Sequence, residues 1–126
     1  MRSSSASCPL TIMIHPSRAV VLDPDESYPL YITANCYTPA NSNLVGLTLI
    51  LLHSTSFHKE AWEPFIEDLF RLVEQSGKPL IREAWVIECP NHGRSAVLNE
   101  KLLLRPEFHN NCELQTSNTF IWLLVH

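Results

Sequence analysis

Glycine is scarce in this chain: three in 126 residues, at Gly46, Gly77 and Gly93. None is followed by x-Ser-x-Gly, so there is no Gly-x-Ser-x-Gly turn to hold up a serine nucleophile. Positive charge is also scarce. Nine Lys and Arg face thirteen Asp and Glu, for a formal net charge of -4. The basic residues are scattered, and no basic field exists to neutralise phosphates, which argues against a nucleic-acid partner. The four cysteines, Cys8, Cys36, Cys89 and Cys112, form no CxxC pair and match no zinc spacing. With nothing marking the chain as secreted, they are read as reduced thiols. Long apolar runs are missing too. Leu10–Ile14 is five residues, short of the roughly 7–15 of a secretory core. No run approaches the ~18–20 residues of a membrane span. The closing Leu124-Val125-His126 is no recognised address signal.

What is present is globular in composition, at 45% hydrophobic and 17% charged residues, and enough for one domain. Residues 1–18 are Ser-rich with two prolines and predict a loose N-terminal arm. Ala19–Asp23 reads as a short strand ended by the turn signal Asp23-Pro24-Asp25-Glu26. Leu30–Thr38 is rich in β-branched and aromatic residues and predicts a second strand, antiparallel to the first.

Gly46–Leu52 is apolar on both faces, interrupted only by Thr48. That pattern marks a central strand of a parallel sheet with helices on each side. A polar loop from His53 to Lys59 follows, then a helix. Trp62, Phe65, Ile66, Leu69, Phe70 and Val73 recur at three- and four-residue steps. Pro64 suits its first turn, Gly77 its C-terminal cap, and Pro79 its stop. Ala84–Glu88 predicts another strand, making a βαβ unit closed by the turn Cys89-Pro-Asn-His-Gly-Arg-Ser95. Ala96–Leu104 predicts a short helix with Val97, Leu98, Leu102 and Leu103 apolar. From residue 109 the chain changes character. A polar, aperiodic tail ends in the apolar run Phe120–Val125.

Chemistry-bearing residues gather in the two loops. His53, His58 and His92 invite a metal, but the His53–His58 spacing of five lies on no helix face and is not the HExxH arrangement. No metal and no cofactor is expected. His53 reads as a loop-closing hydrogen-bond residue, and His92 and Gly93 as turn residues. Ser56 and Ser95 lack the context of a nucleophile and read as polar loop residues. Asp23, Glu88 and Glu100 read as solvated carboxylates.

The pairing of His53-Ser-Thr-Ser after one parallel strand with Cys89-Pro-Asn-His-Gly-Arg-Ser95 after the next resembles the α/β-hydrolase superfamily. The wording Phe57-His-Lys-Glu-Ala-Trp-Glu-Pro, Ile81-Arg-Glu-Ala-Trp and Pro90-Asn-His-Gly is similar to a fungal branch. That branch includes hydrolases of secondary-metabolite clusters, host-selective toxin pathways and peroxisomal lipase-like proteins. The resemblance covers about residues 19–108. Two departures stand out: Ser54 replaces the usual Gly of the first motif, and Asn91 stands where Gly is usual in the second.

The resemblance implies the first half of an α/β-hydrolase sheet, whose third strand lies between the fourth and the fifth. It implies a small acyl or ester substrate for a full-length relative, acted on by a Ser–His–acid machinery. It assigns one oxyanion donor, the backbone N–H of Thr55, in the loop after the third strand. His53, His92, Gly93 and Ser95 carry the motif structurally. The setting it implies is intracellular, peroxisomal or else cytoplasmic. Nucleophile, acid and catalytic histidine are not among these residues, and relatives run to roughly twice this length, as larger α/β domains do.

Two readings follow: a truncated hydrolase, or a relic or frameshifted product without activity. A binding module has no feature in its favour. Without a fifth strand, Gly46–Leu52 becomes an aggregation-prone edge, short of the helices that would cover it, unless Phe120–Val125 supplies an improvised strand.

Overall fold

The computed structural model of the chain describes residues 14–109 and 121–124. Most of the expected N-terminal arm and polar tail lie outside them. Five strands form one mixed sheet in the order β1-β2-β4-β3-β5. In chain order they are β1 (Arg18–Leu22), β2 (Ile32–Tyr37), β3 (Leu47–Leu52), β4 (Ile81–Ile87) and β5 (Ile121–Leu124). A 3-10 turn (Lys59–Trp62) leads into α1 (Glu63–Gln75); α2 (Gly93–Leu103) and a single turn α3 (Pro106–His109) follow β4. No helix among the described residues is long and apolar enough to cross a membrane.

The expected hairpin forms, with β1 antiparallel to β2 and Arg18 opposite Cys36. β2 in turn lies antiparallel to β4. The βαβ unit also forms: β3 and β4 run parallel, with Leu49 beside Ala84 and Leu51 beside Val86, and α1 connects them. Period-two alternation then decides which side chains meet α1. Tyr37, Leu49, Leu51, Ile81, Ala84 and Val86 point to its side and bury Ile66, Phe70 and Val73. Each such side chain contributes about 1.5–3 kcal/mol by leaving water. Pro64 lies in the first turn of α1. Gly77, one residue past the Ser76 cap, takes a φ of +66°, the left-handed conformation that ends helices. Tyr37 Oη donates to Glu63 Oε1 at 2.7 Å and pins the start of the helix to β2.

Three expectations are corrected. β4 begins at Ile81 rather than Ala84, because Arg82 and Glu83 are strand residues whose polarity hides the run. β3 is not an edge: β5 pairs with it antiparallel, Leu51 opposite Ile121 and Thr48 opposite Leu124. Its backbone groups are thereby satisfied on both sides. Finally, α2 starts at Gly93, so Gly93, Arg94 and Ser95 belong to a helix and not to the preceding turn. The side buried by α2 also differs from the apolar one expected. Val97 is 72% exposed, whereas Ser95 and Asn99, one turn apart, are fully buried.

The opposite face of the sheet holds Val20, Leu22, Ala34, Thr48, Ile50, Trp85 and Ile87 around a hollow of about 300 Å³ lined by strand residues alone. Among the described residues, the crossover helix α1 covers one face, and no helix covers the other, despite the two-sided apolar pattern of β3.

Candidate functional site

Because β3 and β4 are parallel, their C-terminal ends and the loops leaving them lie together at one end of the sheet. In open α/β sheets this is where ligands bind. Here a cleft of about 550 Å³ is bounded by Ser56 and Phe57 from the first loop, Lys59 from the 3-10 turn, Asn91 and His92 from the second loop, Arg94 from the start of α2, and Thr33 and Asn35 from β2. A smaller recess of about 210 Å³ adjoins His53, Phe57 and Trp62.

The two loops are tied by reciprocal histidine contacts. His53, 2% exposed, accepts a hydrogen bond on Nε2 from the Cys89 N–H at 3.1 Å. Its Nδ1 therefore carries the proton and donates to the Ser54 carbonyl at 2.9 Å. His92 answers in the other direction. Its Nε2 accepts from the Ser56 N–H at 3.1 Å, and its Nδ1 donates to Asn91 Oδ1 at 2.7 Å. Ser56 reaches His92 with a φ of +71°, an uncommon conformation for a non-glycine residue. The two rings lie 5.0 Å apart.

Burial alone would push the His53 imidazolium down, but the Cys89 thiol, the Ser54 carbonyl and Glu88 outweigh it and hold its pKa above the ordinary value. Burial and the neighbouring His53 push His92 below its ordinary value. His53 thus closes the loop, as its sequence position suggests. His58, by contrast, lies against Glu60 at 3.1 Å and borders the cleft. Spacing would pair His53 with His58; the fold pairs it with His92 and Cys89, with one ligating atom from each of the three within 4.8 Å of one another. Thr55 stands exposed at the tip of the first loop, in the turn closed by Phe57 N–H donating to the Ser54 carbonyl at 3.1 Å.

Sequence reasoning missed the group that holds these loops in place. Glu88, expected to be solvated, is 1% exposed. Its carboxylate accepts from Lys59 Nζ (2.9 Å), Lys59 N–H (3.2 Å), Thr33 Oγ1 (3.1 Å) and Arg94 N–H (3.0 Å). Burial would raise its pKa, but Lys59 and Thr33 outweigh it and keep the carboxyl below its usual value. Lys59, also buried, is held above its usual value by Glu60 and Glu88 despite desolvation. One carboxylate therefore fixes the 3-10 turn, the start of α2 and strand β2 against the end of β4. Gly93 is required beside it. Its φ is +46°, and a Cβ there would collide with the Glu88 carboxylate.

Ser95, expected in a polar loop, is buried instead. Its hydroxyl accepts from the Thr33 N–H at 3.0 Å and lies 2.9 Å from Thr33 Oγ1. Asn99 completes the clamp, donating to the Tyr31 and Pro90 carbonyls at 2.8 and 2.9 Å and accepting from the Tyr31 N–H at 2.8 Å. The one available signal was Glu88 itself, an acid directly after the apolar run Ala84–Ile87, where an unpaired charge is costly.

Neither Ser56 nor Ser95 has nucleophile geometry. Ser95 is spent on Thr33, and the nitrogen of His92 that would serve as a base is occupied by the Ser56 backbone rather than its hydroxyl. Cys36 is buried and Cys89 half-buried, and Cys8 and Cys112 lie outside the described residues. No protein-family model, curated protein or solved structure matches this chain.

Proposed function

We propose that the chain is the donor-loop part of an α/β-hydrolase-type sheet, with the Thr55 N–H as an oxyanion donor, and that it has no hydrolytic activity of its own. The observation that carries this reading is the strand order β1-β2-β4-β3-β5, with an antiparallel β2 and a parallel β3/β4 pair. The part β2-β4-β3 is the order the resemblance implies; β5, antiparallel to β3, only takes the place its fifth strand would hold. Support also comes from the two motif loops, which meet at the C-terminal ends of β3 and β4 and hold one another through His53 and His92.

Ester hydrolysis by that route needs a nucleophile, a base and a donor at about 3 Å from one reacting carbon. A donor loop alone supplies the last. β5 does not bring the first: being antiparallel to β3, it runs away from the site, from Ile121 beside Leu51 to Leu124 beside Thr48. The substrate class for a complete relative is a small ester or thioester, in the setting of fungal secondary-metabolite or host-selective toxin synthesis. An intracellular, peroxisomal location belongs to the same reading.

The test is covalent labelling of the purified chain with a fluorophosphonate probe, alongside turnover of an activated ester. Neither labelling nor turnover above the free-solution rate is expected. Stoichiometric labelling of any serine would overturn the reading.

A further inference from the structure

The geometry points to a binding site for a zinc-class divalent ion, held by His53, Cys89 and His92 at the mouth of the cleft. This goes beyond the hydrolase reading and does not depend on it. Two imidazoles and one thiol converge here from separate loops, with one ligating atom from each within 4.8 Å of one another. Around a tetrahedral ion with N and S bonds of about 2.0–2.3 Å, such atoms stand about 3.3–3.7 Å apart. A closure of at most about 1.5 Å therefore completes the set. Cys89 and His92 are only half-buried, and the loops that carry them border open clefts, so the movement is available.

A second observation is the orientation of the rings. Each histidine already donates its Nδ1–H to an oxygen, Ser54 O at 2.9 Å and Asn91 Oδ1 at 2.7 Å. Each thereby turns an unprotonated Nε2 toward the other loop. This outer hydrogen bond fixes the tautomer in metal-ligating histidines. Nε2 of His53 accepts from the Cys89 N–H and Nε2 of His92 from the Ser56 N–H, both at 3.1 Å. An ion replaces those two neutral contacts with coordinate bonds.

The donor set selects the ion. Imidazole and thiolate favour zinc and its transition-metal neighbours over magnesium or calcium, which take oxygen ligands. Three protein ligands leave a fourth position for water or an anionic ligand. The nearest carboxylate, Glu88, is committed to Lys59, Thr33 and Arg94 and is not needed as a ligand. Binding is balanced by one proton: the Cys89 thiol loses H⁺ to solvent as the sulfur–metal bond forms.

Titration of the whole chain with Co²⁺ under reducing conditions tests the site, with Zn²⁺ as competitor. A companion variant, Cys8→Ser/Cys36→Ala/Cys112→Ser, keeps Cys89 as the sole thiol. In both proteins one equivalent of Co²⁺ is expected to give a thiolate-to-cobalt charge-transfer band and tetrahedral visible bands. Zn²⁺ should abolish both, and about one proton should be released per ion in calorimetry across buffers. Cys89→Ser should remove the charge-transfer band. His92→Ala should weaken binding at least about tenfold. Should Cys89→Ser fail to fold, His92→Ala and Asn91→Ala, both at the half-buried rim, carry the same test by their loss of affinity. The proposal is overturned by the absence of a stoichiometric band in the folded chain. It is equally overturned by a band that survives Cys89→Ser, or by an affinity unchanged in His92→Ala.

Discussion

Glu88 and Lys59 meet at 2.9 Å with side chains 0% and 6% exposed, so neither has water to fall back on. Removing one partner of such a pair costs about 3–5 kcal/mol, because the other is left charged in a low dielectric. Lys59→Met is therefore expected to destabilise by that amount in urea unfolding. Lys59→Met with Glu88→Gln should cost clearly less than the sum of the single changes. A strictly additive result would show that the pair is not coupled. Glu83, on the open face, gives a pH signature. The Trp85 indole N–H, Cys36 and Arg18 hold its carboxyl below the usual value. A depressed folded pKa means that the ionised form stabilises the fold above the unfolded value of about 4.3. That share is lost as pH falls through the lower folded value. The stability gap between the wild type and Glu83→Gln should thus be full near neutrality and close below about pH 4. Urea midpoints across pH check this, and a gap that widens toward acid would contradict it. Little of this was legible in sequence. Glu88 and Lys59 lie 29 positions apart, and an acid before Cys-Pro reads as the start of a solvated turn. His53 was more legible, because a histidine directly after a buried strand has its loop to close.

At the scale of elements, the apolar periods of β3 and α1 were legible because their burial is apolar. α2 was misread for the opposite reason. It is anchored by Ser95 and Asn99, two polar residues whose partners are backbone groups of β2 and of the loop after β4. No hydrophobic period announces such a helix. Its start is fixed by Gly93, whose φ of +46° and lack of a Cβ let Glu88 reach the Arg94 N–H. A non-glycine residue in that conformation costs about 1–2 kcal/mol before any clash. Gly93→Ala is expected to destabilise by about 2 kcal/mol or more, read as a lower urea midpoint. An unchanged midpoint would mean that the Glu88 clamp does not set the start of α2.

Over the whole molecule, sequence order and sheet order part company. β4 is inserted between β2 and β3, and β5 joins the far side of β3 against its direction. The first follows from a βαβ crossover beside a hairpin, a topology that local pattern permits. The second is a long-range pairing that the apolar run Phe120–Val125 offers without specifying. Among the described residues the outcome is a sheet with one helix-covered face, one apolar face without a covering helix and a pair of interlocked loops at one end. We propose that the loop after β3 presents the Thr55 N–H to an oxyanion. Amide NMR of the isotopically labelled chain, titrated with a short alkylphosphonate as oxyanion mimic, tests it most directly. Saturable shifts centred on the Thr55 amide and its neighbours Ser54 and Ser56, with β1 and β5 unmoved, are predicted. Shifts that leave Thr55 unchanged while appearing elsewhere on the surface would rule out this role for the loop.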